Sequence, residues 1–200
     1  MAGSQKVRSM LGIHRWLSAG LLVILSTVLA ACSSRILEPP EPLELAQPIA
    51  VDQSGQEVRF EFETNARNFD PGRTYALELE VQRQGGRENG EPEMRKLNIP
   101  FEVSLQRWGA GAWQDVPTHD SYQALALNAG KSLPAWHTST VWRYAALSAG
   151  SGGEYRWSIV ALPLDLDARY RARVRTVQTT PELQHHSAQV RIHAAWPVGK

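Results

Sequence analysis

Alternation of apolar and polar residues, repeated in segment after segment, is the feature that most limits what this chain can become. Val58, Phe60 and Phe62 alternate with Glu57, Arg59, Glu61 and Glu63. Tyr75, Leu77, Leu79 and Val81 alternate with Ala76, Glu78, Glu80 and Gln82, and Leu97, Ile99, Phe101, Val103 and Leu105 continue the pattern past Pro100. Tyr155–Ala161, Tyr170–Thr176 and Val190–Trp196 read the same way. A period of two puts one face of a strand into a core and the other into water, the signature of antiparallel sheets. Pro100 lacks an amide hydrogen, so it marks an edge or a bulge. Turn residues separate the runs: Asp70-Pro71-Gly72, Gly85-Gly86, Asn89-Gly90, Gly109-Ala110-Gly111 and Gly150–Gly153. Asp120–Ala129 can form one short helix, with Asp120 as cap, Gly130 as stop, and Tyr122, Leu125 and Ala129 on one face. The same residues can also be read as a strand. The expectation is an all-β chain, with a single antiparallel β-sandwich over residues 49–200.

Two segments share a further pattern. Phe69-Asp70-Pro71-Gly72-Arg73-Thr74-Tyr75 and Leu164-Asp165-Leu166-Asp167-Ala168-Arg169-Tyr170 each place an apolar residue six before a tyrosine that opens an alternating strand. This resembles the tyrosine corner of immunoglobulin-like and fibronectin-type-III-like sandwiches, in which the phenol bonds back across the corner. No Cys-Trp-Cys pattern accompanies it.

Composition narrows the function classes. Hydrophobic residues make up 42% of the 200, enough for a core and too many for a disordered chain. Three of the 21 basic groups (Lys6, Arg8, Arg15) and none of the 20 acidic ones lie in residues 1–31, so the remainder carries a net −2. A binder of nucleic acid driven by bulk charge is thereby excluded. A single cysteine leaves no intrachain disulfide and no cysteine-rich metal site.

That cysteine stands in a particular place. The three early cations precede an apolar stretch, Trp16–Val28, too short to cross a bilayer comfortably, and Leu29-Ala30-Ala31-Cys32 follows. These residues resemble a bacterial lipoprotein precursor with its lipobox. The resemblance implies cleavage after Ala31 and acylation of Cys32, and so a lipid bilayer as first partner. Several acyl chains give the stable anchoring that one does not. Ser33, rather than aspartate, follows the cysteine, which by the same resemblance favours the outer membrane and a periplasm-facing domain. The expected organisation is a signal peptide over residues 1–31, a lipidated N-terminus with a Pro/Glu tether over 32–48, and the folded domain over 49–200. Pro39, Pro40, Pro42 and Pro48 keep the tether extended.

Candidate chemistry is sparse. Gly150-Ser151-Gly152 reads as a turn and not as a nucleophile elbow. His119, His137, His185, His186 and His193 read as loop or surface histidines, with His185 and His186 on opposite faces of any strand. No glycine loop precedes a helix to cradle a phosphate. No cofactor, metal or enzymatic role is therefore expected. Trp157 and Trp196 sit in alternating strands and read as packing, whereas Trp108, Trp113 and Trp136 lie near turns and are candidate binding residues. Arg169, Arg171, Arg173 and Arg175 alternate along one strand face, a comb able to grip acidic groups. Arg171 and Arg173 are its central candidates, and the acidic residues Glu57, Glu61, Glu63, Glu78 and Glu80 are possible internal partners. The function expected is a lipid-anchored module that binds a periplasmic protein, as part of an envelope or secretion assembly or as a toxin neutraliser. The alternative is a glycan or peptidoglycan binder using the tryptophans.

Overall fold

A computed structural model describes residues 42–84, 93–151 and 153–195. Nine strands and one α-helix are found among them: β1 (Leu45–Pro48), β2 (Glu57–Glu63), β3 (Tyr75–Arg83), β4 (Ile99–Gly109), β5 (Ala112–Val116), α1 (Ser121–Ala129), β6 (Trp142–Ser151), β7 (Glu154–Leu162), β8 (Arg169–Thr176) and β9 (His186–Ala194). Every pairing is antiparallel, in the order β1-β9-β3-β7-β6-β4-β8-β2, with β5 on the free side of β4. The protein is all-β, a single sheet folded over into two layers and almost closed into a barrel.

β6 makes the fold-over. Its first residues, Trp142–Ala145, pair with β4, and from Ala146 onward it pairs with β7 across a bulge between Leu147 and Ala149. A strand that serves both layers has no constant inside face, which is why its sequence, WRYAALSAGS, shows no alternation and was not legible as a strand. β5 was likewise unforeseen, being short and mostly exposed. The other strands follow the period: β2 alternates exposed and buried throughout. One core fills the space between the layers, with Trp157, Tyr170, Phe101, Leu77, Leu79, Ile159 and Ile192 fully buried.

Both corner tyrosines bond back. The Asp70 amide donates to the Tyr75 hydroxyl at 2.9 Å and the Asp165 amide to the Tyr170 hydroxyl at 2.8 Å. Phe69 stacks on Tyr75 at 4.8 Å. Pro100 pairs only with β6, one residue before the ladder with β8 begins at Phe101, so its missing donor costs nothing. Ala110 and Gly111, at φ 50° and 79°, form the two-residue turn that joins β4 to β5.

Three expectations need correction. The folded unit begins before residue 49: Leu43 is buried, its amide bonds to the Asn68 carbonyl at 2.8 Å, and β1 pairs with β9. The prolines permit this because β1 is an edge strand. The glycine turn after β6 is tighter than expected, since Gly150 lies inside the strand. At φ 144° a side chain on Gly150 would meet the Glu154 carbonyl at 2.6 Å, so only glycine fits. The helix forms as expected, with the Asp120 and Gly130 caps, but with the opposite face inward: Gln123 is buried while Leu125 and Leu127 are exposed.

Candidate functional site

β8 exposes its four arginines on the outer face of one layer, between β2 and β4. Alternation fixes that side, and the register fixes the neighbours. Arg169 pairs with Glu61 and lies 4.0 Å from Glu63. Arg173 reaches Glu102 at 2.8 Å and Glu57 at 3.6 Å, and Arg175 lies 3.7 Å from Glu102. The Glu57 carboxyl is held below the ordinary range, chiefly by its hydrogen bond from Arg59 and with help from Arg173 and Arg175. Glu78 and Glu80, considered above as partners of the comb, belong to the other layer.

Arg171 differs from its neighbours. It has no carboxylate within ion-pair distance among the described residues. Its Nε donates to Gln106, whose amide donates in turn to Asp115 at 2.6 Å. Its guanidinium lies over the Trp113 ring, 4.6 Å from the centroid, and that of Arg169 lies 5.6 Å away. Trp113 faces Trp108 directly across the β4–β5 hairpin, and the rings meet edge to face at 5.3 Å. Trp108 is 43% exposed. The hairpin therefore joins two features that the sequence presents 60 residues apart, the indoles and the comb. A guanidinium on an indole loses little mobility when it binds, which suits it to a planar anionic group.

Trp136 belongs elsewhere. It packs edge to face on Tyr122 of α1 at 4.7 Å and on Tyr144 of β6 at 5.4 Å. Beneath it lies a buried pair that the sequence reading missed, having placed His137 on a surface loop. His137 Nε2 bonds to Asp120 Oδ2 at 2.9 Å, and that oxygen also accepts the Tyr144 amide at 2.8 Å. Asp120 Oδ1 accepts the Gln123 amide at 2.8 Å. One carboxylate thus caps the helix, orients the histidine and fastens both to β6. The Asp120 cap was legible in the sequence; its capping box with Gln123 and the histidine seventeen residues on were not.

His193, also read as a surface residue, is buried on the other layer, with Nε2 2.9 Å from Glu78 Oε2 and Nδ1 2.9 Å from the Ala194 carbonyl. Its bond to Glu78 holds its pKa above the ordinary imidazole value, against desolvation and Arg191. Arg191 in turn pairs with Glu80 and Glu44. Among the described residues no three His, Cys, Asp or Glu side chains converge as a metal site, and no helix is long and apolar enough to cross a membrane. Cys32 and Trp196 lie outside the described residues.

No protein-family model and no curated protein matches the chain. A crystal structure of a protein from Sulfurospirillum deleyianum is similar to it with a TM-score of 0.46 and 11% identity, over 77% of this chain and 98% of that one.

Proposed function

We propose that this chain is a lipid-anchored protein-binding module of the bacterial outer membrane, held through acylated Cys32 and facing the periplasm. Its partner would be an envelope or secretion component, or a toxin that it neutralises. The recognition patch is Trp108, Trp113 and Arg171, with Arg169 beside them. The observation that carries this is the placement of Arg171, fixed by Gln106 on the half-buried indole of Trp113 beside the exposed Trp108, and left without a carboxylate among the described residues. Tryptophan and arginine dominate binding hot spots because they bury much area and keep one polar handle. Arg173, by contrast, is taken up by two glutamates, so its role is to tie β8 to its neighbours.

The geometry weighs against the tryptophans as a sugar platform. Trp108 and Trp113 are inclined at 68°, not coplanar, and Arg171 occupies a face of Trp113 on which a sugar ring would stack. The test is capture from periplasmic extract by the wild-type domain and by Trp113→Ala/Arg171→Ala and Arg173→Ala variants of matched circular dichroism. The first variant should weaken capture by about 2 kcal/mol or more, and Arg173→Ala should leave it unchanged. Equal capture by all three, or retention on purified peptidoglycan lost only in the first variant, overturns the reading. Membrane fractionation of Cys32→Ala checks the anchor: it should release the protein.

A further inference from the structure

A strand at the edge of a sheet carries a row of backbone donors and acceptors with nothing to bond. Folded proteins blunt such edges with lysine, proline, a bulge or a covering element. β1 and β2 are blunted in this way: Pro48 stands in β1, and the Gln47 side chain ties the two strands through the Arg59 carbonyl. β5 is not. It pairs with β4 alone, in unbroken register from Gly109↔Ala112 to Leu105↔Val116. Its sequence, AWQDV, holds no lysine and no proline. Ala112, Gln114 and Asp115 are exposed, and Trp113 and Val116 are half-buried.

The turn decides which backbone groups are free. Ala110 and Gly111 both have positive φ, so Gly109 and Ala112 close a two-residue hairpin and exchange both of their hydrogen bonds. Alternation then points the N–H and C=O of Trp113 and Asp115 away from β4. Among the described residues nothing bonds to these groups. Two donors and two acceptors are left for an incoming strand.

The residues along β5 fit a second β5. With two copies antiparallel about a two-fold axis at Gln114, Trp113 of each exchanges both bonds with Asp115 of the other. Ala112 then lies opposite Val116, Gln114 lies opposite Gln114, and no like charges meet. Asp115 of each copy comes beside the indole that carries the other's Arg171 at 4.6 Å and Arg169 at 5.6 Å. Arg171 has no carboxylate of its own among the described residues, so the second copy brings one to its side of the patch. Other registers are worse. An axis at Asp115 sets two carboxylates face to face, and an axis at Trp113 leaves Asp115 opposite Gly111 in the turn.

We propose that two copies of this chain pair through β5, antiparallel and centred on Gln114, into one sheet continuous across both molecules. The pairing is independent of the recognition patch, which it repeats on one outer face of the joined sheet. Five-residue strands make a contact smaller than the roughly 1,200 Å² of stable complexes, so the dissociation constant is on the order of 0.1 mM.

The test uses the chain from residue 32 onward carrying Cys32→Ser, which excludes a disulfide-linked pair and keeps every described residue. Sedimentation equilibrium should show a reversible monomer–dimer equilibrium between about 10 µM and about 1 mM. Asp115→Pro removes one outward N–H and no bond to β4, and the residue before it is already extended. It should abolish the dimer with an unchanged far-UV spectrum. Gln114→Lys sets two cations opposite each other in a pair whose side chains are close, and should weaken association about threefold or more. Gln114→Glu should do the same, and an equimolar mixture of the two should restore it. The proposal fails if the protein stays monomeric throughout, or if folded Asp115→Pro dimerises like the wild type. It fails too if mixing the two Gln114 variants restores nothing, an outcome that decides the register even where Asp115→Pro does not fold.

Discussion

At the scale of single residues, His193 carries the clearest consequence. Both ring nitrogens meet acceptors, Glu78 and the Ala194 carbonyl, an arrangement fully satisfied only by the doubly protonated ring. The folded pKa is raised above the unfolded value of about 6.5. The stabilisation is therefore complete below the unfolded pKa and is lost as pH rises through the folded one. His186 works in the opposite sense, since burial, Arg83 and His185 lower its pKa. The quantity to measure is thus the difference in unfolding free energy between wild type and His193→Asn. It should be largest near about pH 5.5 and shrink towards about pH 8.5; a difference independent of pH would show that the Glu78 contact does not depend on the imidazolium. The sequence could not reveal this site, because Glu78 and His193 are brought together only by the pairing of β3 with β9.

At the scale of elements, β1 decides where the domain begins. Leu43 is buried, Leu45 packs on the core, Glu44 pairs with Arg191, and β1 covers the edge of β9. Removing the segment exposes that edge and costs roughly 2–4 kcal/mol of apolar burial. A chain starting at Leu43 should be more stable in urea than one starting at Ile49 by about that amount. Equal stability would restore the boundary at residue 49. The Pro/Glu composition concealed β1, because its four residues gain their structure from a partner about 140 residues away. Helix α1 shows a different limit: its caps are local and were legible, but its rotation goes with Gln123, whose amide bonds to the Thr140 and Trp142 carbonyls at the entry to β6.

For the whole molecule, the important fact is that both layers share one core and one strand. Trp157 from one layer and Tyr170 and Phe101 from the other are fully buried in the same cluster, and β6 cannot leave either layer without disturbing both. The two edges also meet, where the Gln47 side chain donates to the Arg59 carbonyl of β2 at 2.6 Å. The layers should therefore unfold together. Tryptophan fluorescence and far-UV circular dichroism should give coincident transitions in guanidinium, and separated midpoints would mean that one layer survives without the other.

Local chemistry was enough to specify the period-two strands, the comb of arginines, both tyrosine corners and the ends of α1, because each depends on residues within one turn or one strand. The segment Leu29-Ala30-Ala31-Cys32, on which the proposed anchor rests, is local in the same way. Tertiary structure alone decided which acids neutralise the comb, that Arg171 would rest on Trp113, that Asp120 would hold His137, and that Leu125 and Leu127 would face outward. The first two depend on strand register across long separations, and the last two on how the α1 segment docks against the start of β6. A change of one residue in register would turn every side chain to the other face, and no pattern within a single segment records which register its partner will take.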